Sequence, residues 1–207
     1  MTQKRRVLFI ALSALSLSGL AACGKLSDAI QSTDQAVSAH ELQHSFKDSC
    51  SKNIALTAIG SSEFETYQFS GNSVTKTDEY FSSGDCTTPA VMVVYNGTFE
   101  KKDQVQQNTY QINATFTTVT VTPQDDQGKT LLNTLSFCGI TNWTTGTAVD
   151  LSAQAGVGLC SLDKLPKSVF DIYSVDNNVL YLGKGSDKST ADRRPTDVDR
   201  SNGYTQQ

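Results

Sequence analysis

The stretch 108–122 constrains the fold more than any other part of the chain. Tyr110, Ile112, Ala114 and Phe116 alternate with polar neighbours, which places them on one face of an extended strand. The alternation then slips by one residue, because the next apolar positions are Val119 and Val121. A phase change inside a strand is what a β-bulge produces: one extra residue bends the strand where the sheet wraps, and Thr117-Thr118 is the expected place. Shorter strands of the same character flank it. Residues 63–69 carry Tyr67 and Phe69 two apart, then Ser70-Gly71-Asn72-Ser73 as a turn, and 74–81 pairs back as a hairpin. Residues 90–100 hold the most apolar run, Val91-Met92-Val93-Val94-Tyr95. Residues 168–175 and 179–183 are joined by the turn residues Asp176-Asn177-Asn178. A first strand near 42–50 and another at 139–149 around Trp143 bring the count to eight, with 129–137 as a short helix. The expected class is all-β, a single eight-stranded antiparallel barrel. Closure is favoured over a sandwich because eight meandering strands can close and leave no edge.

The first 22 residues read as an address. Lys4, Arg5 and Arg6 precede an uncharged run of apolar and small residues that ends Leu20-Ala21-Ala22-Cys23-Gly24. The run is too short to span a bilayer and has the layout of a secretory signal. Its end resembles the lipobox of bacterial lipoproteins. That resemblance implies cleavage before Cys23, a diacylglyceryl group on its thiol and a further acyl chain on its amine. Two or three chains hold a protein on a bilayer almost permanently, whereas one holds marginally. Gly24 in place of aspartate implies, on the enteric rule, onward transport to the outer membrane. The expected organisation is therefore a signal peptide at 1–22, an acylated N-terminus and flexible tether at 23–41, the barrel at 42–183 and a polar, irregular tail at 184–207.

Of the 207 residues 38% are hydrophobic, which suits a folded domain better than a disordered chain. Removing the signal takes three positive charges and no acid, so the formal charge of -4 becomes -7. An acidic chain lacks the basic face that nucleic-acid binding needs, and it gains nothing from an anionic membrane surface. The lipid on Cys23 alone would hold it to the bilayer. A monomer is expected.

Cys23 accounts for the odd cysteine of five. The remaining Cys50, Cys86, Cys138 and Cys160 read, in an exported chain, as two disulfides among three possible connectivities. Cys50–Cys86 and Cys138–Cys160 are favoured. The first ties the opening strand to the end of the hairpin, and the second closes a Gly- and Thr-rich segment with little core of its own. No C-x2-C pair exists, so neither a zinc site nor a redox motif is expected from them.

Several stretches resemble lipocalin-like, or calycin, lipoproteins of bacteria: Tyr67-Gln68-Phe69, Cys86-Thr87-Thr88-Pro89 after Tyr80, Cys138-Gly139 with Trp143 behind, Leu180-Tyr181-Leu182-Gly183, and Arg194-Pro195-Thr196 before Tyr204. The Gly-x-Trp of true lipocalins has no counterpart; the corresponding place reads His44-Ser45-Phe46. The resemblance implies a barrel that binds or carries a small apolar ligand. The candidate interior contacts are Tyr67, Phe69, Met92, Tyr110, Ile112, Phe116, Trp143, Phe170 and Tyr181. The alternative is a filled barrel whose outer surface meets another envelope component.

His40-Glu41-Leu42-Gln43-His44 matches H-E-x-x-H, whose helical form places two zinc ligands on one face. As a strand, the two histidines would stand about 13 Å apart and could not share a metal. No third ligand follows at the metzincin spacing, since Lys47 and Cys50 occupy those places. A zinc enzyme is thus the remote reading, and no catalysis, metal or cofactor is expected. The acidic pairs Asp78-Glu79 and Asp125-Asp126 read as solvated loops, and Arg193-Arg194 as a basic spot paired to local acids.

Overall fold

A computed structural model of the chain describes residues 41–207 other than Asn53, Ala55 and Ser186. The signal peptide, Cys23, the tether up to residue 40 and His40 lie outside the described residues. The chain runs β1 (Ser45–Lys47), β2 (Ser62–Ser70), β3 (Ser73–Phe81), β4 (Pro89–Gln106), β5 (Thr109–Pro123), α1 (Asp126–Thr134), β6 (Val149–Asp150), β7 (Lys167–Asp176), β8 (Val179–Gly183) and β9 (Val198–Gln206). Every pairing is antiparallel. Going round, β1-β2-β3-β4-β5-β7-β8-β9 returns to β1 and closes an eight-stranded barrel, with β6 a two-residue addition on β5.

The bulge falls where the alternation slips. Asn96 faces Thr118 and Gly97 faces Phe116, so Thr117 is the extra residue. Gly97 is required there: a Cβ would stand 2.1 Å from the Thr115 carbonyl oxygen. The chain turns between β7 and β8 through Asn177 and Asn178, both at positive φ, where asparagine is tolerated.

Two parts of the expected strand set change. The segment around Trp143 is not a barrel strand; it lies over the barrel with α1 and contributes only β6. Its ring is buried against Phe137 at 6.4 Å, and its backbone is clamped by Asn133, which accepts from the Trp143 N–H at 2.8 Å. The expected irregular tail instead supplies β9, the strand that closes the barrel. Its residues Val198-Asp199-Arg200-Ser201-Asn202-Gly203 are too polar to read as a strand, because only its second half is lined up with inward neighbours. Leu180 faces Tyr204 and Phe46 faces Gln206. The helix also begins three residues earlier than expected. Asp125 caps it, accepting from the Gly128 N–H at 2.7 Å, and Gly128 lets it sit hard on β4, with room for no Cβ beside the Ala90 carbonyl. Asp125 is thus a helix cap, and Asp78 is buried inside the barrel; neither is the solvated loop expected.

Both disulfides pair as favoured, Cys50 with Cys86 and Cys138 with Cys160. Apolar side chains fill the barrel toward both ends. At the end that carries the Ser70–Ser73 turn, Leu42, Phe46, Phe69, Phe99, Tyr173 and Leu180 are buried, with Phe69 edge-on to Phe99 at 5.1 Å. At the end under α1, Tyr80, Val91, Val93, Val119, Val121 and Leu132 are buried. Among the described residues no helix is long and apolar enough to cross a membrane.

Candidate functional site

Between these two apolar layers the barrel carries charge. Residues opposite one another in antiparallel strands share a face, and Glu65, Tyr67 and Phe69 on β2 face Asp78, Lys76 and Val74 on β3. Lys76 in turn faces Tyr95 on β4. Two carboxylates and one ammonium therefore point inward at the same height. The Lys76 ammonium sits 2.7 Å from Glu65 Oε2 and 2.9 Å from Asp78 Oδ1, and the Tyr204 hydroxyl donates to Glu65 Oε1 at 2.5 Å. A second pair lies where β7 and β8 splay apart. Asp171 Oδ2 accepts from the Lys188 ammonium at 2.7 Å, while its Oδ1 accepts from the N–H groups of Ile172 and Gly183.

A cavity of about 320 Å³ opens beside this layer. Pairing between β7 and β8 stops at Tyr173 and Leu182, so the lower half of β7 has no strand on that side. The cleft enters there, between β7 and the residues Gly185, Asp187, Lys188 and Ser189, and reaches Tyr67, Lys76, Tyr95 and Phe116. Its outer walls carry Asp163, Lys167, Asp171, Asp187 and Lys188. Lys167 pairs with Asp163 at 2.5 Å, and Arg193 with Asp187. Among the described residues Arg194 pairs with no acid. It spans the outside of β5 and β7, donating to the carbonyls of Ile112 and Asp171 and to Asn113 Oδ1.

The nine expected interior residues divide. Tyr67, Phe69, Tyr110, Ile112 and Phe116 have the inward parity, and of these Tyr67 and Phe116 reach the cleft. Met92 stands between inward Val91 and Val93 and so faces out. Phe170, between Val169 and Asp171, faces out beneath the Arg194 guanidinium at 5.7 Å. Tyr181 faces out beneath Arg200 at 5.1 Å. Trp143 is off the barrel strands altogether. Hydrophobicity chose these four, whereas strand parity decides direction. The same parity could have found what hydrophobicity passed over: Glu65 is in step with Tyr67 and Phe69, and Lys76 and Asp78 with Val74 and Tyr80.

The burial of three charges sets their protonation. Burial pushes the Asp78 carboxyl up to about 6; Lys76 pulls it down and Glu65 adds to the rise. For Glu65 burial also pushes upward, but the Lys76 charge and hydrogen bonds from Lys76, Tyr204 and Tyr67 outweigh it and hold the carboxyl below its usual range. Lys76 loses to burial but gains more from Glu65 and Asp78, so it stays charged. One cation cannot hold two buried carboxylates ionised equally, and Asp78 keeps its proton longer.

The pH dependence follows. A carboxyl raised in the folded state gives stability that is present below its ordinary value of 3.8 and is lost as pH rises through about 6. Glu65, lowered, gives stability that is present above 4.5 and is lost as pH falls through its folded value. Stability should therefore fall as pH rises from about 4 through 6. Asp78 alone should contribute about 1 kcal/mol of the fall between pH 5 and 7.5. Asp48, raised to about 6 mainly by burial, adds to the same limb. Urea unfolding at both pH values measures this. Asp78→Asn should remove its share of the fall, and an unchanged slope would contradict the assignment.

Among the described residues no group of three or more His, Cys, Asp and Glu side chains is arranged to hold a metal ion. His44 lies just before β1, edge-on to Phe46 at 6.2 Å. No known protein family matches the chain, and no curated protein does.

Proposed function

We propose that this chain is a lipid-anchored lipoprotein of a bacterial cell envelope, non-catalytic, whose barrel holds a small ligand in the side cleft. The observation that carries the ligand reading is the cavity of about 320 Å³ reaching the charged middle layer of an otherwise filled barrel. That volume is at the lower end for small-molecule sites, which are concave and combine apolar walls with a few convergent polar groups. Tyr67, Tyr95 and Phe116 supply the apolar wall. The charged lining argues against the purely apolar ligand expected from the sequence, because such a ligand would strip water from ammonium groups and return no acceptor. Native mass spectrometry of residues 24–207, produced in an oxidising compartment, tests the reading. A protein mass with two disulfides and a co-purifying small molecule is expected; ligand-free protein after gentle isolation counts against it.

The anchor reading rests on Cys23 and the segment before it. Cys23→Ser should move the protein from the membrane fraction to the soluble fraction once the signal is cleaved. Protein that still fractionates with the membrane would contradict lipid anchoring.

The second reading, an interaction lipoprotein, has one observation in its favour. Leu159 is fully exposed, Val157 largely and Leu135 partly so, around a groove of about 530 Å³ beside the Cys138–Cys160 disulfide. It predicts no co-purifying ligand mass.

A further inference from the structure

Resting on the ligand-cleft reading, we propose that the cleft takes a neutral sugar ring. Its hydroxyls would bridge the carboxylates and ammonium groups of the walls, and its C–H face would lie against Tyr67, Tyr95 and Phe116.

The walls balance in charge. Among the described residues, Asp163, Asp171 and Asp187 line the cleft against Lys76, Lys167 and Lys188. Behind them Glu65 and Asp78 share Lys76, and Arg193 reaches Asp187 from outside the lining. An arriving anion would therefore stand among five carboxylates. An arriving cation would have to share each carboxylate with a cation already there: Lys167 holds Asp163, Lys188 holds Asp171, Arg193 holds Asp187, and Lys76 holds the inner two. A charged ligand of either sign also gives up its hydration on entering. A hydroxyl meets neither repulsion and is cheaper to strip of water.

Hydrogen-bonding capacity points the same way. A carboxylate has about four lone-pair sites and an ammonium three donors, so acceptors outnumber donors in the cleft. Asp171 already accepts from the N–H groups of Ile172 and Gly183 and from Lys188. Nearer the rim, Asp187 accepts from Ser189 and Arg193, and Asp163 from Lys167, which leaves lone pairs on both. Among the described residues, Lys167 and Lys188 each spend one donor on their acid and keep others. A hydroxyl donates one bond and can accept two, so a ring of hydroxyls serves both kinds of open position.

The aromatic wall selects a sugar among neutral polar molecules. Tyr67, Tyr95 and Phe116 call for an apolar face on the ligand. A pyranose has one, made of C–H groups, with its hydroxyls around the rim. A cavity of about 320 Å³ suits a single ring better than a longer oligosaccharide.

NMR titration of the full mature chain, in a detergent without a sugar headgroup, tests this. The probes are the methyl glycosides of glucose, galactose, mannose and N-acetylglucosamine, beside benzylamine and benzenesulfonate. At least one glycoside should bind with a Kd on the order of 1 mM and shift the amides of residues 167–171. Its affinity should stay within about twofold as salt rises from about 0.05 to about 0.5 M, because screening acts on charge. Lys167→Ala and Asp187→Ala, both at half-exposed rim positions, should each weaken it about fivefold, the loss of one hydrogen bond. Tighter binding of benzylamine or benzenesulfonate than of every glycoside would overturn the sugar and leave the ligand cleft standing. So would a glycoside affinity that collapses with salt. Glycoside binding indifferent to both variants would overturn the inferred contacts. Silence from all the probes would overturn the sugar and the cleft together.

Discussion

Lys76→Met is expected to destabilise the fold by about 3–5 kcal/mol near pH 7.5, the usual cost of removing one partner of a buried ionic group. Methionine matches the volume of the lysine stem, so packing is largely retained. What remains is Glu65 opposite Asp78 on neighbouring strands with no cation between them. Like charges at that spacing, with little water, cannot both stay ionised. Part of the cost is recovered by protonation, so the loss should be larger at pH 8 than at pH 5. In a domain of this size it should lower Tm by roughly 10 °C. The triple change Glu65→Gln, Lys76→Met and Asp78→Asn should cost much less than Lys76→Met alone, because it leaves no unpaired charge. Urea unfolding of the two variants decides the matter. If the triple variant is no more stable than the single one, the triad is not the source of the loss.

The second large effect concerns Cys50–Cys86. Changing both cysteines to serine is expected to cost about 4 kcal/mol in the chain-entropy account, given their sequence separation of 36. Among the described residues from Asp48 to Ser61 there is no barrel strand. Besides the disulfide, backbone bonds from Asp48 and Ser51 to β2 and from Ser61 to β3, the bond from the Glu65 N–H to Asp48 Oδ1 at 2.7 Å and the burial of Ile59 in the core hold this stretch to the sheet. Losing the disulfide should loosen the chain around Cys50 and let water reach Asp48, whose carboxyl, raised mainly by burial, should then fall back toward the ordinary range. Removing Cys138–Cys160, which spans 22 residues, should cost about half a kcal/mol less on the same account. Denaturant unfolding of the oxidised protein against each double-serine variant measures both. Equal stability with and without Cys50–Cys86 would mean that the bridge closes a loop already held by its neighbours.

How much was legible varied with the range of the interaction. Thr117 could be placed as the bulge because the slip from Phe116 to Val119 is a local pattern, and the hairpins at Gly71 and Asn177-Asn178 are local as well. The count of eight strands came out right through two compensating differences: the Trp143 segment is a cover and the polar end of the chain is a strand. Neither is a local property. Trp143 is large and apolar because it covers the barrel beside α1, and β9 is polar because much of it faces solvent while its backbone satisfies the edges of β1 and β8. Charged side chains at inward positions were passed over for the same reason. An isolated Lys76 or Glu65 reads as surface, and only a partner on the next strand makes its burial affordable.

The all-β class, the place of the bulge and an even set of four cysteines for pairing can be read from the residues alone. Those features depend on residues close in the chain or on simple parity. Closure by β9, the direction of each aromatic and the meeting of Glu65, Lys76 and Asp78 were decided by register between strands. Register depends on how the whole apolar pattern fits together, and a shift of one residue would turn every one of these side chains to the other face. The cleft, likewise, exists because β8 stops short of β7, a difference in strand length that acquires meaning only once the barrel is closed.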